Sequence, residues 1–265
     1  MRSSYTALGS AAAPAIVFIH GSRLSRGMWQ PQLAALAGQF RVVALDLPGH
    51  GALRDRPFRW DEAVEEVVRV IDEAAGGRAV LVGLSLGGYV AMDVVARHPE
   101  RVAGLVISGA SMEPAGPLGL PIRALAAILG RVPVQTLDRL NRAWFRWRYP
   151  TGTARAILAG GFAFEGGVDA LHELRRRRFG LALAGYPGPV LVLNGQLDPL
   201  FRLGQRRFCR ALPDVQVTVL RGATHLANLD RPSAFSARIA RFAAETSVVR
   251  SCIRSHRVIG LARSL

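Results

Sequence analysis

Ala79-Val80-Leu81-Val82-Gly83-Leu84-Ser85-Leu86-Gly87-Gly88 runs from a short apolar stretch straight into a helical pattern that continues to Arg97. A buried strand meeting a helix through Gly-Leu-Ser-Leu-Gly must turn so tightly that the residues flanking the serine carry almost no side chain. Such a turn projects the Ser85 hydroxyl from the top of a sheet at a helix N-terminus. There the backbone N–H of Leu86 can face a developing negative charge. A helix-capping serine in a Gly-rich turn would satisfy the same letters, but the strand before it and the helix after it favour a nucleophile turn. A phosphate-binding loop would need a lysine after its last glycine, and the chain has no lysine.

Working outward, further short apolar runs read as fully buried strands: Ala15 to Ile19, Arg41 to Leu45, Ala79 to Gly83, Val102 to Ser108, Pro189 to Asn194 and Gln216 to Leu220. Between them lie helical patterns at Trp29 to Ala37, Trp60 to Ala75, Leu86 to Arg97, Leu203 to Ala211 and Pro232 to Ala244. This alternation predicts an α/β fold with a mostly parallel, doubly wound sheet and helices on both faces. Met112 to Tyr186 breaks it with Pro/Gly punctuation and Arg-, Leu- and aromatic-rich helical segments, and reads as an inserted helical lid over the strands' carboxyl ends, where open α/β sheets bind ligands. The expected organisation is a core of residues 1–111 and 187–246, a lid of 112–186, and a basic C-terminal tail of 247–265 in which the last helix has ended. Only Ser4 to Leu8 could add a strand ahead of the first buried one, which should leave a sheet edge exposed.

Composition narrows the function. The 265 residues are half hydrophobic, enough for a substantial core, and all 34 basic residues are arginine, giving a formal net charge of +15. That charge would suit a polyanion, but an arginine-only skew is what a GC-rich codon composition produces. Neither a recognition helix nor a basic stripe interleaved with aromatics is evident, so no nucleic-acid partner is expected. The densest cluster, Arg175 to Arg178, reads as a solvated helix end. No run reaches the roughly 18 apolar residues of a membrane span, the early apolar run lacks the features of a secretory signal, and Cys209 and Cys252 make no disulfide framework. These readings point to a cytoplasmic protein with a small-molecule substrate and no metal site.

A serine hydroxyl is a poor nucleophile unless a histidine takes its proton and an acid orients that histidine, in the chain order Ser, Asp, His for this kind of sheet. Asp198, in Asn194-Gly195-Gln196-Leu197-Asp198-Pro199, follows a buried strand and can drop a carboxylate toward Ser85. Its bland alternative is a helix cap, in which case Glu113 is the fallback acid. His225, in Gly222-Ala223-Thr224-His225, follows the last strand. His20, His50 and His98 suit turn and loop packing, and His172 and His256 fall in the lid and tail.

On these residues the chain resembles the α/β-hydrolase superfamily, and within it the small lid-bearing serine esterases, lactonases and carbon–carbon-bond hydrolases. The motifs are His20-Gly21-Ser22 with Trp29 downstream, Asp46-Leu47-Pro48-Gly49-His50-Gly51, Gly83-Leu84-Ser85-Leu86-Gly87-Gly88, Gly195-Gln196-Leu197-Asp198 and Gly222-Ala223-Thr224-His225, covering about residues 15–110 and 187–244. The resemblance implies an α/β-hydrolase fold and a second oxyanion donor, the backbone N–H of Ser22, beside that of Leu86. The implied activity is hydrolysis of a small carboxylic ester, thioester or lactone through an acyl-enzyme, with no cofactor. Carbon–carbon hydrolysis, perhydrolysis and a non-catalytic receptor on the same fold remain alternatives. The lid offers Trp144, Phe145, Trp147, Phe162 and Phe164 as substrate-pocket walls, although aromatics there can equally pack lid onto core. The tail could form a basic amphipathic helix that docks to a partner or anionic surface, or stay disordered.

Overall fold

The computed structural model describes residues 3–115, 119–120, 124, 127, 131–179, 183, 185–210, 212 and 214–261, the stretch 247–261 in backbone only. Strands β1 (Tyr5–Leu8), β2 (Ala15–Ile19), β3 (Arg41–Leu45), β4 (Ala79–Leu84), β5 (Val102–Ser108), β6 (Val190–Gly195) and β7 (Val215–Leu220) form one sheet in the order β1-β3-β2-β4-β5-β6-β7. Only β1 runs antiparallel, against β3 at the sheet's edge. Helices α1 (Gln30–Leu36), α2 (Trp60–Ala74) and α3 (Leu86–Arg97) connect the first strands, and α4 (Val134–Arg148), α5 (Thr151–Gly160) and α6 (Phe164–Leu174) lie between β5 and β6. Helices α7 (Pro199–Cys209), α8 (Ala227–Asp230) and α9 (Pro232–Leu261) complete the chain.

Strand alternation sorts the core into two layers. Val43, Val17, Leu81, Leu105 and Val190 stand in register across five strands and pack under α2 and α3. The next residues along, Ala44, Phe18, Val82, Val106 and Leu191, point to the other face, where α1 and α9 cover them. Both faces are therefore buried, which is why these strands read as unbroken apolar runs. Between β2 and β4 the chain's direction of progress across the sheet reverses, so the loops leaving those strands diverge and open a crevice at their carboxyl ends.

Two helix bounds and one solvation reading need correction. Helix α7 starts at Pro199, not Leu203, because Pro199 at the first helical position is already set for helical φ. The helix beginning at Pro232 does not end near Ala244 but runs in backbone to Leu261, since no Gly or Pro interrupts the chain before Gly260. Finally, the Arg175 to Arg178 cluster is not wholly solvated: the Arg177 guanidinium lies 4.8 Å from the Trp60 ring centroid and pairs with Asp93 and Glu173. Among the described residues no helix is long and apolar enough to cross a membrane.

Candidate active site

Ser85 sits directly after β4 with φ 53° and ψ −118°, a conformation costing a non-glycine residue on the order of 1–3 kcal/mol. Its own N–H donates to the Ser108 carbonyl at 2.8 Å, which ties the strained turn to β5. The flanking glycines are required by contact. A Cβ on Gly83 would collide with the Gly87 backbone, one on Gly87 with the carbonyls of Ile19 and His20, and one on Gly88 would come within 2.6 Å of the Ala110 Cβ. The turn is thus wedged between β2 and β5, and α3 begins at Leu86, whose amide is among the first-turn donors with no partner inside the helix.

Asp198 occupies the N-cap position of α7, yet its side chain makes no capping hydrogen bond. Instead its buried carboxylate accepts a hydrogen bond from His225 Nδ1 at 2.8 Å. The loop carrying Asp198 and the loop carrying His225 are laced together by backbone bonds, Gln196 N–H to Leu220 O and Leu197 N–H to Ala223 O. Gly195 allows that approach, because a Cβ there would strike the Ala223 and Thr224 carbonyls. Glu113, the fallback acid, accepts from the Phe179 amide at 3.0 Å.

The imidazole of His225 is held on both sides. Phe201 stacks on it with centroids 5.1 Å apart, and Gly109, at φ 58°, lies so close that a Cβ would come within 2.5 Å of Cε1. The Gly109 N–H donates to Asn194 Oδ1 at 2.9 Å, while the Asn194 amide donates to Ser111 Oγ and Gln205 Oε1. One residue before His225, Thr224 donates through both N–H and Oγ1 to the buried carboxylate of Asp230. Asp230 also accepts from Arg148 at 2.7 Å and from the Tyr149 hydroxyl, so the histidine loop is anchored to the end of α4.

Ser22 stands on a loop fixed from below by two histidines. His20 donates from Nδ1 to Gly21 O at 2.9 Å and accepts at Nε2 from the Leu47 amide at 3.0 Å. His50 donates from Nδ1 to Pro48 O and accepts from the Arg23 amide at 3.3 Å. Burial pushes His20 down to about 4, partly opposed by its bond to Gly21. Burial, then the neighbouring His20, pushes His50 down to about 3. Both rings are therefore neutral near pH 7, and each serves as one donor and one acceptor for the loop backbone. Beside them Asp46 accepts from the Arg26 and Ala52 amides at 2.7 and 2.8 Å and pairs with the Arg26 guanidinium.

Ser22, Ser85, Leu86, Asp198 and His225 all line one cavity of about 850 Å³ at the carboxyl ends of the strands. Its outer wall comes from the inserted helices, with Trp144, Phe145, Phe162 and Phe164 among the lining residues. Phe145 and Phe162 stack with centroids 5.5 Å apart, and Trp144 sits edge-on to Phe145. Trp147 does not belong with them: it is 80% exposed and absent from the cavity wall. On a helix turning about 100° per residue, Trp147 falls about 200° from the inward-facing Phe145, on the opposite side of α4. Gly109, Asn194 and Asp230 were not legible as site residues, because contacts far apart in sequence bring them there; Arg23, next to Ser22, was not legible either, because nothing in the sequence shows that its side chain turns into the cavity.

The Alpha/beta hydrolase family model matches residues 16–238, and the chain belongs to that family. It is a hydrolase. Across 243 residues it is 26% identical to 3-oxoadipate enol-lactonase 2 of Acinetobacter baylyi, covering 88% of this chain and 90% of that one. A 2-(acetamidomethylene)succinate hydrolase of Mesorhizobium japonicum is 27% identical over 82% of this chain and 83% of its own. Among solved structures, a thermophilic esterase from Thermogutta terrifontis superposes with a TM-score of 0.74 at 23% identity, over 91% of this chain and 93% of that one, and supports the fold.

Proposed function

We propose that the chain is an ester-acting serine hydrolase that cleaves a small carboxylic ester, thioester or lactone through Ser85, His225 and Asp198. His225 removes the Ser85 proton at Nε2 as the serine oxygen attacks the carbonyl carbon. The Ser22 and Leu86 amides hold the resulting oxyanion, and the proton then passes to the leaving group as the carbon–oxygen or carbon–sulfur bond breaks. Water, deprotonated by the same imidazole, attacks the acyl-enzyme and releases the acid. Asp198 fixes the ring with Nδ1 protonated and stabilises the imidazolium. Helices α4–α6 act as the lid that shields this chemistry from bulk water and shapes the substrate pocket.

The observation that carries this reading is the orientation of Asp198: a residue placed to cap a helix turns its carboxylate to the histidine on the same cavity wall as the strained Ser85. The test is turnover of a short-chain 4-nitrophenyl ester series by the protein and its Ser85→Ala variant, with fluorophosphonate labelling mapped by mass. Labelling confined to Ser85, and a fall in kcat on the order of a millionfold in the variant, is the expected result. A folded protein that neither labels nor turns over would overturn it.

A further inference from the structure

Among the described residues lining the cavity, Arg23 is the only arginine. It follows Ser22 directly and is held in an unusual way. Its φ of 64° lies in the left-handed region, which residues other than glycine rarely adopt. Its N–H donates to His50 Nε2, and its carbonyl accepts from Ala163 N–H at 3.1 Å, at the entry to α6. The aliphatic stem lies on Gly167, where a Cβ would come within 2.5 Å of Arg23 Cγ. Core loop and inserted helix therefore both fix this one side chain.

Among the described residues nothing answers its charge. Burial pulls its pKa below the ordinary guanidinium value, and no ion pair to it forms among the described residues. By contrast, Arg26, three residues on, is paired with Asp46. Glu165 and Asp169 line the same cavity from α6 but are exposed at its rim and do not pair with Arg23. A partly desolvated guanidinium without a counter-charge is unfavourable unless something else supplies one, and its flat fork of donors matches a carboxylate in two parallel hydrogen bonds. With Glu165 and Asp169 already adding negative charge at the rim, the single unpaired fork of Arg23 suits one carboxylate better than a dianionic phosphate.

We propose that Arg23 is a specificity-determining residue, and that the substrate carries a free carboxylate which Arg23 binds while the ester or lactone carbonyl sits between Ser85 and the Ser22 amide. This rests on the serine-hydrolase reading above and adds the substrate class. It also gives the left-handed turn at Arg23 a role, since a right-handed residue there would send the side chain off along another path.

Two matched ester pairs test it. One places the charge on the acyl side, the 4-nitrophenyl monoester of glutaric acid against 4-nitrophenyl pentanoate. The other places it on the alcohol side, 4-carboxyphenyl acetate against 4-methylphenyl acetate. In the wild-type protein at least one pair should show a higher kcat/KM for the charged member. In Arg23→Gln that ratio should fall roughly tenfold to a hundredfold, the range for hydrogen bonds to charged groups, and Arg23→Lys should restore part of it. Because the ratio is taken within each protein, general damage to the oxyanion loop divides out. Equilibrium binding of glutarate to the Ser85→Ala protein gives a readout independent of turnover, and should weaken about tenfold or more when Arg23→Gln is added. Unchanged ratios in both pairs with unchanged glutarate binding would overturn the proposal. Failure of Ser85 to label would instead sink the triad, while the glutarate measurement would still decide for or against the anion site.

Discussion

The cavity has two walls of different construction. The strand-end loops after β2, β4, β6 and β7 present polar groups that are each fixed by backbone bonds, close glycine contacts or buried partners. Helices α4–α6 present aromatic side chains that pack on one another, Phe145 on Phe162 and Trp144 against Phe145 and Tyr149. The first wall tolerates little movement, because each donor is placed by a specific partner. The second holds its shape by dispersion and burial, which many side chains can supply. On the mechanism proposed above, chemistry that needs sub-ångström placement would sit on the rigid scaffold, and shaping the substrate pocket would fall to the replaceable part.

Asp230 joins the two walls, so it is where the contrast can be broken most severely. Its carboxylate accepts from Thr224 on the histidine loop and from Arg148 and Tyr149 on α4, and is almost wholly buried. Asp230→Asn removes the charge that Arg148 answers and turns a donor toward groups that also donate. We expect kcat to fall about tenfold to a hundredfold, as for other residues that orient an active-site ligand, with a stability loss of about 1–3 kcal/mol. Activity and urea unfolding measured together check this. A variant that loses stability while its kcat stays at the wild-type value would show that the histidine loop is held without help from the inserted helices.

Acid should act on the rigid wall alone. In the unfolded chain His20 and His50 would titrate near 6.5, whereas folded they take up protons only near pH 4 and 3. Below about pH 6.5 the unfolded state therefore binds protons that the folded state refuses. Stability is complete above that pH and falls as pH drops, by about 1.4 kcal/mol per pH unit for each histidine, levelling off once the folded rings protonate. Between about pH 6.5 and 4.5 this slope for the two rings amounts to about 5 kcal/mol, large against an ordinary folding free energy. Urea midpoints between pH 7.5 and 4.5 in the wild type and in His50→Gln measure it; equal pH slopes would show that His50 contributes nothing to the acid limb. The slope from most carboxylates is common to both proteins, but Asp46, which burial pushes upward and the neighbouring His50 pulls down, shifts with the substitution, so the difference reports the His50–Asp46 pair.

The two walls also differ in how much of them the sequence discloses. Strands buried on both faces must be continuous apolar runs, so β2 to β6 can be located to within a residue or so; β7, which reads from the sequence as fully buried too, is the edge strand, buries only Leu220 and leaves Val217 exposed. The candidate residues Ser85, Asp198 and His225 follow from strand position plus chain order. In the inserted helices each face divides its apolar residues between core, cavity and solvent, which blurs the 3.6-residue period. Arginine-rich composition blurs it further. That is why Trp147 could be taken for a wall residue beside Trp144. Arg23, Gly109 and Asp230 were hidden for another reason: the contacts that matter are to Gly167, His225 and Arg148, and no local pattern announces a partner so distant.

The smallest effect is the one that tests the assignment of faces on α4. Trp144 is 41% exposed, lines the cavity and stands edge-on to Phe145 and Tyr149 at 4.8 and 5.7 Å, whereas Trp147, three residues on, is 80% exposed and contributes to no wall. Trp144→Ala removes part of the pocket and its aromatic contacts, so KM for an apolar ester should rise about threefold to tenfold, with about 1 kcal/mol lost from folding. Trp147→Ala should stay within about 0.5 kcal/mol of the wild type in stability, with kcat/KM unchanged, as exposed substitutions usually do. If Trp147→Ala raised KM as much as Trp144→Ala, α4 would have to rotate or move when substrate enters, and the apolar wall would be a moving part set against a fixed one.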